Sequence, residues 1–177
     1  MKLYRRGEAR WLVLAFGVGL AILAWREAYP FLARQAPVPA ETLVVEGWVS
    51  DDLLVQAAGW AESNGVKKIV ATGGPIEIGS FLAEWKTYAE MTRARMEALG
   101  LGAKFELAAV PAEKVRRGRT REAARALKAA GAAAGAFNVA SEGPHARRSW
   151  RAFRDEFAGQ AEVGSVALTP TEYDGTD

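Results

Sequence analysis

"ETLVVEGW", residues 41–48, places Leu43, Val44 and Val45 in a row and then closes the run with Glu46, Gly47 and Trp48. A short apolar run of this kind, ended by a turn, fits a strand covered on both faces better than the alternating pattern of a half-exposed one. The next segment is helical. Ser50 stands where an N-cap is needed, Asp51 and Asp52 fall in the first turn near the positive end of the helix dipole, and the pattern runs to Asn64, where Gly65 supplies the stop. A doubly buried strand leading straight into a helix is the first half of a βαβ unit, so the fold depends on whether the unit recurs.

It recurs. "KKIVATGGP" (67–75) is a second strand broken at a Gly-Gly pair, followed by a helix expected from about Phe81 to Leu99 on the spacing of Trp85, Tyr88, Met96 and Leu99. "AKFELAAVP" (103–111) is a third strand, and an alanine-rich helix from Thr120 to near Gly131 leads to a fourth, "AFNVASEGP" (136–144). Pro144 then opens a helix, where its missing N–H costs nothing. Ala146, Trp150, Phe153 and Phe157, spaced four, three and four apart, lay one apolar stripe along that helix. "AEVGSVALTP" (161–170) is a fifth strand. Such alternation predicts parallel pairing through right-handed crossovers, hence an α/β three-layer sandwich, Rossmann-like, with a mainly parallel sheet of about five strands. A chain of 177 residues suits one domain of this kind.

Ahead of the domain, "WLVLAFGVGLAILAW", Trp11–Trp25, is fifteen residues without a charge. As a helix it covers roughly 22 Å against a hydrocarbon core of roughly 30 Å. Interfacial Trp11 and Trp25, snorkelling arginines and local bilayer thinning can meet the shortfall. A cleaved signal peptide, a signal anchor and a buried helix of the domain compete for this segment. Apolar residues on all faces argue against the buried helix, and with no clear small-x-small cleavage site the anchor is preferred. Lys2, Arg5, Arg6 and Arg10 before the run outnumber the positive charges soon after it, which orients the N-terminus to the cytoplasm and the domain outside. The chain then divides into a basic cytoplasmic segment (1–10), one transmembrane signal anchor (11–25), a tether (26–41) in which "ARQAPVPAE" reads as extended, and the α/β domain (42–177).

Composition removes several chemistries. The chain has no cysteine, which excludes thiolate catalysis, cysteine-bound zinc and iron–sulfur clusters, and its one histidine, His145, excludes histidine-cluster metal sites, so no metal ligands are assigned. The formal charge of +2 conceals an asymmetry: residues 1–40 carry six Lys/Arg and two acids, leaving 17 basic and 19 acidic residues in 41–177. "RRGRTR" (116–121) is the only dense basic run and on its own is weak evidence, so no nucleic-acid partner is expected. Neither the G-x-x-x-x-G-K of a nucleotide loop nor the G-x-G-x-x-G of a dinucleotide fold is present, and the cofactor stays unassigned.

Open parallel sheets bind ligands outside the carboxyl ends of their strands, and every unusual cluster of this chain falls at such an end. Glu46 ends a strand of valines and should be partly desolvated, with a raised pKa unless an arginine, Arg119 or Arg148, pairs with it; the alternative is an exposed loop acid. Thr72 is at a strand tip where Gly73 and Gly74 let the backbone approach a ligand closely, although a plain turn explains them as well. Arg119 and Thr120 offer a guanidinium and a hydroxyl at a helix start, or ordinary solvated charge and capping. His145 and Arg148, three residues apart and about 60° around a helix, can face one ligand. The arginine and the helix-start N–H groups would hold a phosphate or carboxylate while the imidazole moves a proton; otherwise His145 bonds a loop carbonyl.

The order of these motifs, "VVEGW", "ATGGP", "YAEMTRARMEALG", "GRT" and "GPHARRS", resembles the YdcF-like family of domains of unknown function, which includes the SanA and ElyC envelope proteins, over about 42–174. Membrane-anchored variants with "VEGW" and "GPHARRS" are the nearest look-alikes. Gly47, Thr72, Gly73, Gly74, Thr120, His145 and Arg148 match the family pattern, Glu90 matches it in an uncertain register, and Glu46 and Arg119 match the anchored subgroup. Glu46 and Trp48 depart from the usual first-strand ending, and relatives commonly continue past "TEYDGTD", so the domain is expected to be truncated. The resemblance implies a single-pass protein of the bacterial inner or plasma membrane with a role in envelope integrity, peptidoglycan or surface-polysaccharide biosynthesis. It establishes no reaction, and one cytoplasmic-type member is associated with S-adenosylmethionine.

Together these readings predict an anchored domain binding a small anionic envelope metabolite, a sugar phosphate or lipid-carrier phosphate, with hydrolysis or transfer open to it. Glu46 and His145 are the expected catalytic pair, and Gly47, Thr72, Gly73, Gly74, Glu90, Arg119, Thr120 and Arg148 the expected ligand-binding set. The alternative is a non-catalytic nucleoside or S-adenosylmethionine module, or an accessory protein of envelope assembly. The oligomeric state is left open.

Overall fold

A computed structural model describes residues 4–77 and 81–170, the first six of these in main-chain course only. Ten regular elements succeed one another: α1 (Tyr4–Leu32), β1 (Thr42–Glu46), α2 (Asp51–Ser63), β2 (Lys68–Gly73), α3 (Tyr88–Ala98), β3 (Glu106–Pro111), α4 (Arg119–Ala129), β4 (Ala136–Glu142), α5 (Ala146–Glu156) and β5 (Glu162–Leu168). The five strands form one sheet in the order β3-β2-β1-β4-β5, and every neighbouring pair is parallel. The chain is an α/β sandwich of the kind the alternating pattern predicts.

Successive side chains of a strand point to opposite faces, and the valines of β1 divide the core accordingly. Leu43 and Val45 pack with Leu53, Leu54 and Ala57 of α2 and Met96 of α3. Val44 faces the other way, against Ala124 and Leu127 of α4 and Phe153 of α5. Phe153 and Phe157 meet Phe137 edge-on at 6.4 and 4.8 Å, the geometry aromatic rings prefer. Trp150, on the same stripe, spends its indole N–H on the Val163 carbonyl at 2.7 Å.

Two local expectations change. Ser50 is the residue before α2, but its hydroxyl turns to Asp52 and makes no cap bond to the helix. The helix expected from Phe81 begins at Tyr88, because Thr87 and Glu90 form a capping box: Thr87 Oγ1 accepts from Glu90 N at 3.2 Å, and Glu90 Oε2 accepts from Thr87 N at 3.1 Å. Trp85 therefore lies in the irregular segment ahead of the helix, and the buried face of α3 is Ala89, Thr92 and Met96.

The segment before the domain differs more. Arg26, Glu27 and Ala28 are good helix formers and do not end α1, so among the described residues the helical stretch long and apolar enough to cross a membrane is Arg10–Leu32, 23 residues, which contains the uncharged run Trp11–Trp25. That length covers about 35 Å, while the uncharged run within it still ends at Trp25, before Arg26 and Glu27. Trp11, Leu12, Val13 and Phe16 stand exposed along it.

Nor is the remainder a loose tether. Ala36 and Ser165 of β5 exchange two main-chain hydrogen bonds of 2.9 Å, Ser165 Oγ donates to the Arg34 carbonyl at 2.7 Å, and Gln35 Oε1 accepts from Ala167 N at 2.7 Å. Val38 is held at both main-chain groups by the buried Asn138 amide, each bond 2.8 Å. Residues 34–38 thus cover the open edge of β5, which would otherwise present unpaired N–H and C=O groups. Only glycine fits beneath this strap at 164, since a Cβ there would lie 2.0 Å from Asn138 Oδ1. Asn138→Ala leaves both Val38 groups without their partner and is expected to cost about 2 kcal/mol. Thermal unfolding together with amide exchange at Val38 checks it; unchanged values of both would mean that other contacts hold the strap.

Candidate functional site

In the sheet order, β1 and β4 are neighbours, but the chain leaves β1 toward β2 and β3 on one side and β4 toward β5 on the other. Where the order reverses in this way, the loops after the two strands part and leave a crevice. A cavity of about 320 Å³ lies there, with Glu46 at the end of β1 and Trp48 after it, Thr72 at the end of β2 and Gly74 after it, and His145 and Arg148 after β4 among its walls. Arg119 and Thr120 of the first turn of α4 and Tyr88 of α3 complete it. Six of the side chains singled out in the sequence, Glu46, Thr72, Arg119, Thr120, His145 and Arg148, therefore line one space.

Glu46 is 4% exposed, and no cation pairs with it among the described residues. Its expected arginine partners are elsewhere: Arg119 pairs with Glu77 at 2.8 Å, and Arg148 makes no hydrogen bond or ion pair among the described residues. Three hydroxyls take their place. Ser141 of β4 and Ser149 of α5 donate to Oε2 at 2.5 and 2.6 Å, and Thr120 of α4 donates to Oε1 at 3.2 Å. Each hydroxyl brings one donor at little bulk, so a carboxylate in a dry site keeps its hydrogen bonds. The arrangement also ties the end of β1 to α4, β4 and α5. Ser141 and Ser149 are absent from the set expected on sequence, although Ser149, between buried Ala146 and Phe153 on the inward face of α5, is a polar residue on an otherwise apolar stripe.

His145 precedes α5, at the end of a short 3₁₀ turn, Gly143–His145, which replaces the expected first helical turn after Pro144. Its ring meets Trp48 edge-on at 5.0 Å and, among the described residues, makes no hydrogen bond, so the loop-carbonyl alternative does not occur. Both ring nitrogens stay available to a ligand. The amino ends of α4 and α5 lie at the same crevice, and although the first N–H of α5 is spent on the Gly143 carbonyl, the two helix dipoles add partial positive charge to that of Arg119 and Arg148.

Gly73 and Gly74 line the cavity, whereas Gly47 serves packing. Gly47 N donates to the Thr72 carbonyl at 2.7 Å and its own carbonyl accepts from Thr92 Oγ1 at 2.7 Å, while a Cβ at 47 would lie 2.7 Å from Tyr88 O. Gly47 is therefore beneath the crevice and not on its wall. A Cβ at Gly73 would meet Tyr88 Cβ at 2.7 Å, whereas at Gly74 the nearest atom is 3.6 Å away. Glu90, expected to bind ligand, spends its carboxylate on the cap of α3 and does not line the cavity. Thr72 Oγ1 donates to the Val45 carbonyl at 3.4 Å. Among the described residues no three acidic or imidazole side chains converge as metal ligands.

Comparison with protein-family models, with curated proteins and with solved structures gives no match for this chain.

Proposed function

We propose that the chain is a single-pass membrane-anchored protein whose domain, outside the cytoplasm, binds a small anionic metabolite of the cell envelope in the crevice between β1 and β4. Its YdcF-like resemblance is the source of the envelope assignment; the anionic ligand is inferred from the site. The observation that carries it is that an unpaired Arg148, an unengaged His145 and the amino ends of α4 and α5 border one cavity of about 320 Å³. That volume is at the small end of ligand pockets and suits a sugar phosphate or the head of a lipid-carrier phosphate. In this reading Arg148 and Arg119 hold the anion, and His145 gives or takes a proton at the scissile or transferred group. Glu46 acts chiefly as a positioning residue, since both of its oxygens already accept hydroxyls.

Thermal shift of the full-length chain in detergent, with sugar phosphates and isoprenoid phosphates as ligands, tests the reading. Arg148→Ala is expected to lower affinity about ten- to hundred-fold, the value of a charge-assisted hydrogen bond. His145→Ala is expected to keep the shift and lose turnover. A shift equal in wild type and Arg148→Ala would remove the anion from the site, and unchanged turnover would remove His145 from the chemistry.

A second reading rests on Trp48, 40% exposed at the rim beside His145. An exposed indole can stack a nucleobase, and the crevice then serves a non-catalytic nucleoside-binding module. Adenosine and S-adenosylmethionine would raise the midpoint, Trp48→Ala would abolish that gain, and no product would form.

A further inference from the structure

The dense basic run of the sequence is not in the crevice alone. A second and larger groove, about 840 Å³, runs beside it and shares Arg119, Thr120 and Arg148 as a common wall. Arg116 and Arg117 from the loop before α4 and Arg121 from its first turn line the groove together with Arg147 and Arg151 from α5. Asp155 is the one acid on the wall among the described residues. It is hydrogen-bonded by Arg154 at 2.6 Å and also feels the charges of Arg151 and Arg121, so one acid stands against seven wall arginines. Arg116, Arg117 and Arg148 have no hydrogen bond or ion pair among the described residues.

The far end of the groove is formed by Phe31 and Leu32, the last two residues of α1. Both are exposed, and Arg147 closes the joint by stacking its guanidinium on the Phe31 ring at 3.8 Å. An arginine-walled groove thus opens where α1, the one helix among the described residues long and apolar enough to cross a membrane, ends. With α1 in a bilayer, that position is the headgroup layer. A nucleic acid would leave the adjoining apolar residues unused.

From this juxtaposition of the arginine groove with the end of α1, we propose that the groove binds the phosphate of anionic lipid headgroups in the leaflet from which the Leu32 end of α1 emerges on the domain side. It rests on the anchor reading above and not on the chemistry of the crevice. Docked in this way, the shared wall of Arg119, Thr120 and Arg148 faces the lipid surface, so a phosphate borne on a lipid reaches the crevice without leaving the interface. Each arginine near an anionic surface contributes about 1 kcal/mol, falling off within a Debye length.

The test uses the full-length chain in nanodiscs of phosphatidylcholine, with or without phosphatidylglycerol. Co-migration with the discs reports entry of α1, and amide hydrogen exchange over residues 116–121 and 147–152 reports the groove. Exchange in both segments is expected to slow at least about threefold in the anionic discs, from partial occupancy of a site worth several charge contacts. Arg116→Gln/Arg117→Gln/Arg151→Gln is expected to lose the slowing, and the corresponding Arg→Lys variant to keep most of it. Entry into discs with equal exchange in both lipids would overturn the headgroup site and leave the anchor standing. Failure to enter discs would overturn the anchor and the headgroup site with it. Equal slowing in phosphatidylcholine discs on adding inorganic phosphate or a single-stranded oligonucleotide would overturn the lipid assignment in favour of that ligand.

Discussion

Glu46→Ala is expected to lower the stability of the domain by about 3 kcal/mol, while Glu46→Gln loses about 1 kcal/mol. The alanine deletes the acceptor of Thr120, Ser141 and Ser149 together, and the two serines are fully buried. An orphaned buried hydroxyl costs about 1–3 kcal/mol, and the vacated volume adds to this. Relief of a carboxylate without a cation opposes the loss, since burying charge is costly in itself. Glutamine keeps one carbonyl oxygen and the shape, and hydroxyls can turn to accept from its NH₂. Denaturant titration of the three proteins gives the order. An alanine variant as stable as the parent would mean that the three hydroxyl bonds only offset the desolvation of the carboxylate, and that Glu46 is retained for ligand and not for the fold.

The second large effect is at Gly47, one residue on. Gly47→Ala is expected to cost about 3 kcal/mol and to lower the melting temperature by roughly 6–12 °C. A Cβ at 47 would lie 2.7 Å from Tyr88 O and 2.8 Å from Thr72 O, both main-chain atoms that cannot swing aside. To admit it, α3 must move away, weakening the Thr92 bond to the Gly47 carbonyl and withdrawing Tyr88 from the crevice wall. Gly59, in the middle of α2 with nothing within 4 Å of its Cβ position, is the control. There the same substitution removes the entropic cost of a helical glycine and is expected to stabilise by about 0.5–1 kcal/mol. Equal melting temperatures for Gly47→Ala and the parent would show that α3 is not seated on this turn.

The alternation of buried strands and amphipathic helices is legible in the sequence because it depends on local periodicity. Leu43–Val45, the Gly65 stop and the stripe of Ala146, Phe153 and Phe157 need only their neighbours in the chain to be read. The start of α3 is not legible in the same way, because Phe81 and Trp85 ahead of it imitate helical spacing, and the Thr87–Glu90 box that marks the true start offers a carboxylate that resembles a ligand group. The strap at 34–38 has the composition of a tether because Pro37 and Pro39 suit either state. What decides between them is the Asn138 amide, about a hundred residues away.

By itself the sequence determined which segments are strands, which are helices, that one apolar segment precedes them, and which strand ends carry unusual side chains. Only the tertiary structure decided the strand order, and with it that the reversal between β1 and β4 opens the crevice at Glu46. It also decided that this carboxylate is answered by Ser141, Ser149 and Thr120, leaving Arg148 free, and that the "RRGRTR" run faces α5 across a groove ending at α1. The division has a simple physical cause. Backbone periodicity and capping act within a few residues, whereas partnership between buried side chains at the crevice is fixed by which strands lie side by side, and that depends on how the whole apolar surface of the sheet is covered.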